Sequence, residues 1–196
     1  MSLDGFMAGP RGEFDWPLAD DEFERHVDDL MNDADTILLG RNTYQMFAGY
    51  WPTAATSPTG TMKHSGSTEF VVPTSVSNAH DEVARKMNSY RKIVFSKTLK
   101  KVEWNNSTLL KEVDPKEISR LKQHSGKDML VLGSGRLVSA LMKFGLIDEF
   151  RVWINPIILG QGKPLFGALD DRQNLNLVRT KTFDSGLIEL CYERAM

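Results

Sequence analysis

The sequence predicts an α/β fold: a mixed, mostly parallel sheet with flanking helices and a C-terminal antiparallel hairpin. Three observations carry this. Short strand-like segments at 36–39 and 92–95, and the uninterrupted apolar run at 129–132, recur between stretches of helical period, the rhythm of strands covered on both faces. Each run ends in small, polar or basic residues: Gly40-Arg41-Asn42-Thr43, Ser96-Lys97-Thr98 and Gly133-Ser134-Gly135-Arg136. The last two runs, 175–183 and 187–192, flank Asp184-Ser185-Gly186, a turn-forming connection that suits a hairpin.

At 196 residues, with 41% hydrophobic and 26% charged residues, the chain reads as one globular domain over 1–196. A net charge of −2 gives no global basic field, which argues against nucleic acid or an anionic membrane as the main partner. Cys191 is the only cysteine, and the four histidines are scattered, so neither a disulfide nor a metal motif is expected. With no signal-like segment and no membrane-spanning apolar run, the expectation is a cytoplasmic protein that acts on a small molecule.

Along the chain, residues 1–19 mix Gly5, Gly9, Pro10 and Gly12 with Phe6, Met7, Phe14 and Trp16, which predicts a packed, mobile loop. Over 20–32, Phe23, Val27, Leu30 and Met31 repeat at helical spacing, with acids at the N-terminal end that the macrodipole favours. A strand at 36–39 leads through Gly40-Arg41-Asn42-Thr43 into a short helix over 44–48. Residues 49–69 are rich in Gly, Pro, Ser and Thr and too long for a routine connection, so a lid, a binding loop or partial disorder is expected. A helix over 80–90, marked by Val83, Met87 and Tyr90, precedes the strand at 92–95, and a strand at 108–110 follows.

Asp114-Pro115-Lys116-Glu117 supplies an N-cap, a proline at the first helical position and an acid at the third, so a helix begins there. The strand at 129–132, the glycine turn and a helix carrying Leu137, Val138, Leu141 and Met142 come next, closed by Gly145. A strand over 150–154 stops at Pro156, and the turn Gly160-Gln161-Gly162-Lys163 follows an apolar edge.

Open α/β sheets bind ligands just outside the carboxyl ends of their strands. Three such ends carry Arg41, Lys97 and Arg136, and two of them open helices whose first N–H groups lack an intrahelical acceptor. That combination suits a ligand with several phosphates; the alternative is that each cation is a solvated helix-start residue. Walker A is excluded, because no Lys-Ser or Lys-Thr follows the last glycine, and the dinucleotide fingerprint has Val138 where its third glycine belongs.

The motifs SLDGFMAG at 2–9, DADTILLGRNTYQMFAGYWP at 33–52, FSKTL at 95–99, the run at 126–166 and the terminal FDSGLIELCY resemble the dihydrofolate reductase-like proteins, specifically the group sharing the riboflavin-biosynthesis reductase (RibD C-terminal) domain. The resemblance implies NADPH bound across the strand ends. It puts Gly40, Arg41 and Thr43 at cofactor phosphates, Ser96 and Lys97 at the adenosine 2′-phosphate, and Gly133, Ser134, Gly135, Arg136 and Leu137 around the pyrophosphate. Met7 and Ala8 would lie near the nicotinamide, with Asp4, Trp16, Tyr50 and Trp51 on the substrate side and Lys163 in reach of a substrate phosphate. Family members carry an apolar strand ahead of Ser-Leu-Asp-Gly; here the motif follows Met1, so that strand is either shortened or upstream of this sequence. A homodimer using the 150–154 strand and the edge after it is also implied.

Hydride transfer needs a proton for the neighbouring heteroatom. Dihydrofolate reductases take it from a carboxylate on the first helix, and an ungapped count back from Gly40 puts Glu24 there, although an acidic, solvated helix face would look the same. Three functions remain open. The first is an NADPH-dependent reductase of a small heterocyclic or carbonyl substrate. The second is a stand-alone 5-amino-6-(5-phosphoribosylamino)uracil reductase, without the zinc deaminase half that a single cysteine cannot furnish. The third is a non-catalytic nucleotide-binding dimer on the same scaffold.

Overall fold

A computed structural model describes residues 1–54, 60–62, 70–72, 78–124, 126–167 and 172–195. The elements run β1 (Phe6–Ala8), α1 (Asp21–Asn32), β2 (Ala34–Gly40), α2 (Arg41–Ala48), α3 (Trp51–Ala54), β3 (Gly60–Met62), β4 (Phe70–Val72), α4 (Asn78–Ser89) and β5 (Arg91–Phe95). They continue with β6 (Ser107–Leu110), α5 (Pro115–Gln123), β7 (Asp128–Val131), α6 (Gly135–Lys143), β8 (Glu149–Ile154), β9 (Lys163–Pro164), β10 (Leu175–Thr182) and β11 (Ile188–Arg194).

A four-stranded parallel sheet, ordered β6-β5-β2-β7, holds the centre. Leu38 of β2 stands opposite Ile93 on one side and Val131 on the other. Because side chains alternate across a strand, Ile37 and Leu39 pack with Met31, Val83, Met87 and Trp104 on one face. Leu38 joins Ile118, Leu137 and Leu141 on the opposite face. This two-sided burial explains the continuous apolar run. After β2 the chain crosses to β5 on one side, then returns to place β7 on the other, so the order switches between β2 and β7.

A separate antiparallel sheet, β10-β11-β8, carries the C-terminal hairpin. A bulge between Leu177 and Arg179 interrupts the register of its outer strand. Ser2 bridges Asn155 just past β8, and β1 pairs with β9.

Three sequence expectations change. The segment at 1–19 contains a strand, β1, held by the ladder to β9. The helix expected over 44–48 starts at Arg41, because Gly40 is still extended (φ −79°, ψ 163°) and the helix begins directly after it. The loop expected over 49–69 contains α3 and β3, and β3 pairs with β4, where Val71 and Val72 are β-branched strand formers; the rest of that loop, 55–59 and 63–69, lies outside the described residues.

Candidate functional site

The carboxyl ends of β2 and β7 bring two helix starts together. Gly40 is the N-cap of α2 and Ser134 the N-cap of α6, and neither helix has a side-chain cap. They nearly touch: a Cβ on Gly40 would fall 2.0 Å from Ser134 Oγ. Ser134 itself is left-handed (φ 67°), next to Gly133 at φ 60°, and a Cβ at Gly133 would lie 3.7 Å from Thr43 Oγ1. Two sets of amide donors therefore converge at the switch point of the sheet.

Cations surround this edge. Arg41 is exposed and crosses from the β2 end to the β5 end, donating from Nη1 to Thr98 Oγ1 at 3.0 Å. Lys97 is exposed, 3.8 Å from Glu112, and Arg136 is exposed on the first turn of α6. Two of the expected cofactor residues are occupied otherwise. The buried Ser96 hydroxyl accepts from the N–H groups of Thr98 (3.2 Å) and Leu99 (3.0 Å), so it shapes the turn that presents Lys97. Leu137 lies in the core beneath α6 and fixes that helix against the sheet.

β1 and β9 pack against the same corner. A Cβ on Gly135 would meet Leu165 O at 2.4 Å, and one on Gly162 would meet Ala8 O at 2.4 Å. Met7 and Ala8 are thereby joined through the β9 segment to the start of α6, with Lys163 exposed opposite Ala8. Asp4 is engaged elsewhere: its carboxylate accepts from Leu159 N (3.1 Å) and Gly160 N (2.7 Å). Hydrogen bonding from Ser2, and then from those two amides, holds its pKa below the ordinary carboxylate value. Trp16 stands edge-on to Phe14, and its indole N–H is buried without an acceptor among the described residues.

Glu24, Tyr50 and Trp51 do come together, around a residue that no sequence motif marked. Glu24 is buried on α1, and His80 of α4 sets Nδ1 3.3 Å from Glu24 Oε1. Tyr50 Oη lies 3.0 Å from His80 Nε2, and the Trp51 ring stacks on the imidazole at 5.7 Å and 29°. Burial, reinforced by the Glu24 charge, pushes the Tyr50 phenol up to about 12. The available sequence signal for His80 was its register: it stands three before Val83 and seven before Met87, on the buried face of the helix.

This donor set fits a phosphate-bearing nucleotide: a cradle where an added Cβ would collide, uncapped amides and three exposed cations. Among the described residues, no group of three or more His, Cys, Asp or Glu could hold a metal ion, and no helix is long and apolar enough to cross a membrane.

The chain matches the RibD C-terminal domain over residues 1–188. It is 32% identical over 192 residues to the Bacillus subtilis protein YyaP, covering 98% of this chain and 90% of YyaP. Among solved structures, a candidate riboflavin biosynthesis protein from Shewanella sp. PV-4 is similar at 25% identity and a TM-score of 0.67, covering 100% of this chain and 95% of that one. Dihydrofolate reductase from Enterococcus faecalis, solved with NADP(H), shares the fold at 13% identity and a TM-score of 0.54, covering 100% of this chain and 92% of that one. A match across almost the entire length, on the α/β fold of dihydrofolate reductase, establishes that the chain belongs to the RibD C-terminal domain family.

Proposed function

We propose that the chain is an NADPH-dependent reductase that transfers a hydride to a small heterocyclic or carbonyl acceptor. The observation that carries this is the meeting of two uncapped helix N-termini at the β2/β7 switch point, ringed by Arg41, Lys97 and Arg136. Bound NADPH supplies the hydride; the protein supplies binding, orientation and a proton.

The amides at the start of α6, around Gly133, Ser134 and Gly135, and those opening α2 hold the pyrophosphate, with Arg41 and Arg136 neutralising it. Lys97, on the turn shaped by Ser96, binds the 2′-phosphate that distinguishes NADPH from NADH. Met7 and Ala8 border the reacting side through their packing on the start of α6. Glu24 holds the proton for the acceptor, and Tyr50 and Trp51 wall the same side.

Fluorescence titration with NADPH and with NADH tests this. NADPH is expected to bind far more tightly, with Lys97→Ala and Arg41→Ala each weakening it at least tenfold and Lys97→Ala leaving NADH unchanged. Failure to bind either nucleotide overturns the reading.

On the RibD C-terminal domain match, we take 5-amino-6-(5-phosphoribosylamino)uracil as the second candidate acceptor. Lys163, exposed and paired with Ala8 across the β1/β9 ladder, would bind the ribosyl phosphate of that acceptor. NADPH consumption with this acceptor, compared with dihydrofolate, separates the two substrate classes.

A further inference from the structure

We infer that His80 is the positioning residue of the proton-donating carboxyl, holding Glu24 through Nδ1 while Tyr50 holds His80 through Nε2. The inference rests on the reductase reading and extends it to a residue outside the cofactor edge.

The three groups come from three separate elements: Glu24 from α1, Tyr50 from the turn before α3 and His80 from the first turn of α4. All three are buried, Tyr50 almost completely at 1% exposure. The pairs are 3.3 Å and 3.0 Å apart, on the two different nitrogens of one ring. Where a neutral phenol donates to one imidazole nitrogen, that nitrogen carries no proton and, in a neutral ring, the other carries it. The inferred arrangement has Tyr50 Oη–H donating to Nε2 and Nδ1–H donating to Glu24 Oε1. The stack on Trp51 fixes the ring plane in which both bonds lie.

Among the described residues, the charged and titratable groups on the elements that meet at the ring are few. From α1 come Glu24 and, one turn on, Asp28, which is bound by Lys86 Nζ at 2.6 Å. From the α3 side comes Tyr50, and on α4 itself the next residue is Asp81.

The chemical consequence concerns the carboxylate. As hydride reaches the acceptor carbon, Glu24 gives its proton to the neighbouring heteroatom and becomes an anion, later reprotonated from water. The Nδ1–H bond strengthens to that anion and holds it in place. His80 therefore acts through Glu24 and need not touch the acceptor.

Two readouts on the full chain test this: the tautomer of the His80 ring by nitrogen-15 NMR, and the pH dependence of NADPH turnover with 5-amino-6-(5-phosphoribosylamino)uracil or dihydrofolate, whichever is consumed faster. Wild type is expected to show the Nδ1–H form. Tyr50→Phe and Glu24→Leu, each confirmed folded by circular dichroism, should each shift the tautomer ratio toward Nε2–H at least fivefold. His80→Phe, which keeps the ring volume and removes both bonds, should move the fall of kcat with rising pH upward by about one unit, because a carboxylate that loses a donor is a weaker acid. KM for NADPH should stay within twofold. A tautomer ratio unchanged in both Tyr50→Phe and Glu24→Leu overturns the inference whatever the activity. The expected tautomer shifts with an unmoved pH profile in His80→Phe overturn it as well, reducing the network to packing. Coupling without turnover of NADPH on either acceptor overturns the reductase reading, and the positioning role falls with it.

Discussion

A lysine in the second position of a central strand must find acceptors or lose its charge, and Lys92 is fully buried. Its ammonium donates to Asn88 O (3.1 Å) and Tyr90 O (2.7 Å) and sits 4.4 Å over the Trp104 ring. These contacts only partly replace water, and burial lowers its pKa from 10.5 to about 8. Below pH 8 both folded and unfolded chains carry the charge, and the folded state bears the full cost of burying it. Between pH 8 and 10.5 the folded lysine is neutral while the unfolded one is still protonated, so the unfolded state binds more protons and stability rises with pH. The gain is on the order of 3 kcal/mol. Urea denaturation of wild type and Lys92→Met from pH 7 to 11 should show this rise only in wild type. Taking the difference between the two proteins removes the opposing contribution of Tyr50, whose raised pKa lowers stability above pH 10.

At the scale of elements, the helices divide by how they begin. In α1, Asp20 accepts from Phe23 N at 2.8 Å, and in α5, Asp114 accepts from Lys116 N at 2.9 Å; both are Asp-capped starts of ordinary structural helices. By contrast α2 and α6, which meet at the sheet switch point, have no side-chain cap. Their approach depends on Gly40 having no Cβ, and it is strained at Ser134, whose left-handed backbone costs a non-glycine residue roughly 1 kcal/mol. Gly40→Ala should therefore destabilise by about 1–3 kcal/mol through overpacking against Ser134 Oγ. Ser134→Gly should stabilise slightly, and the double variant should recover most of the loss, giving a coupling well above the few tenths expected of independent sites. Additive effects in thermal denaturation would show that the two helix starts do not press on each other.

The Asp114 cap was legible in the sequence because a capping signal is local, and the strands of the parallel sheet were legible because two-sided burial leaves a continuous apolar run. The meeting of Gly40 with Ser134 was not, since they lie 94 positions apart in the chain and the left-handed turn needs no glycine once packing enforces it. The same reason hid His80, which is joined to Glu24 only by the packing of α4 on α1. Asp4 and Ser96 show the converse: their residue types suit a ligand, but nearby backbone amides take their oxygens.

For the molecule as a whole, α1 is the element that ties the two sheets together. One side faces α4, where Glu24 meets His80 and Asp28 meets Lys86. The other side faces the antiparallel sheet, where Phe23 stands edge-on to Trp153 at 5.1 Å and to Phe183 at 5.9 Å. The centre of that second contact is Glu189, a fully buried carboxylate on β11. It receives Trp153 Nε1 at 3.2 Å and Arg179 Nη2 at 3.3 Å, with His26 Nε2 of α1 at 3.0 Å. Its partners differ in how much they depend on it. The Arg179 side chain is 50% exposed and can turn to water, whereas the His26 side chain is only 13% exposed. Removing the carboxylate strands the buried members of the network, so Glu189→Ala should cost about 3 kcal/mol, against about 1 kcal/mol or less for Arg179→Ala. The loss should also be local. Hydrogen exchange of α1 amides should accelerate in Glu189→Ala more than exchange in β2 and β5, since α1 loses its anchor while the parallel sheet keeps its ladders. Uniform acceleration across α1 and the parallel sheet would mean that the two sheets unfold as one unit, and that the carboxylate adds to global stability without a special hold on the helix that carries Glu24.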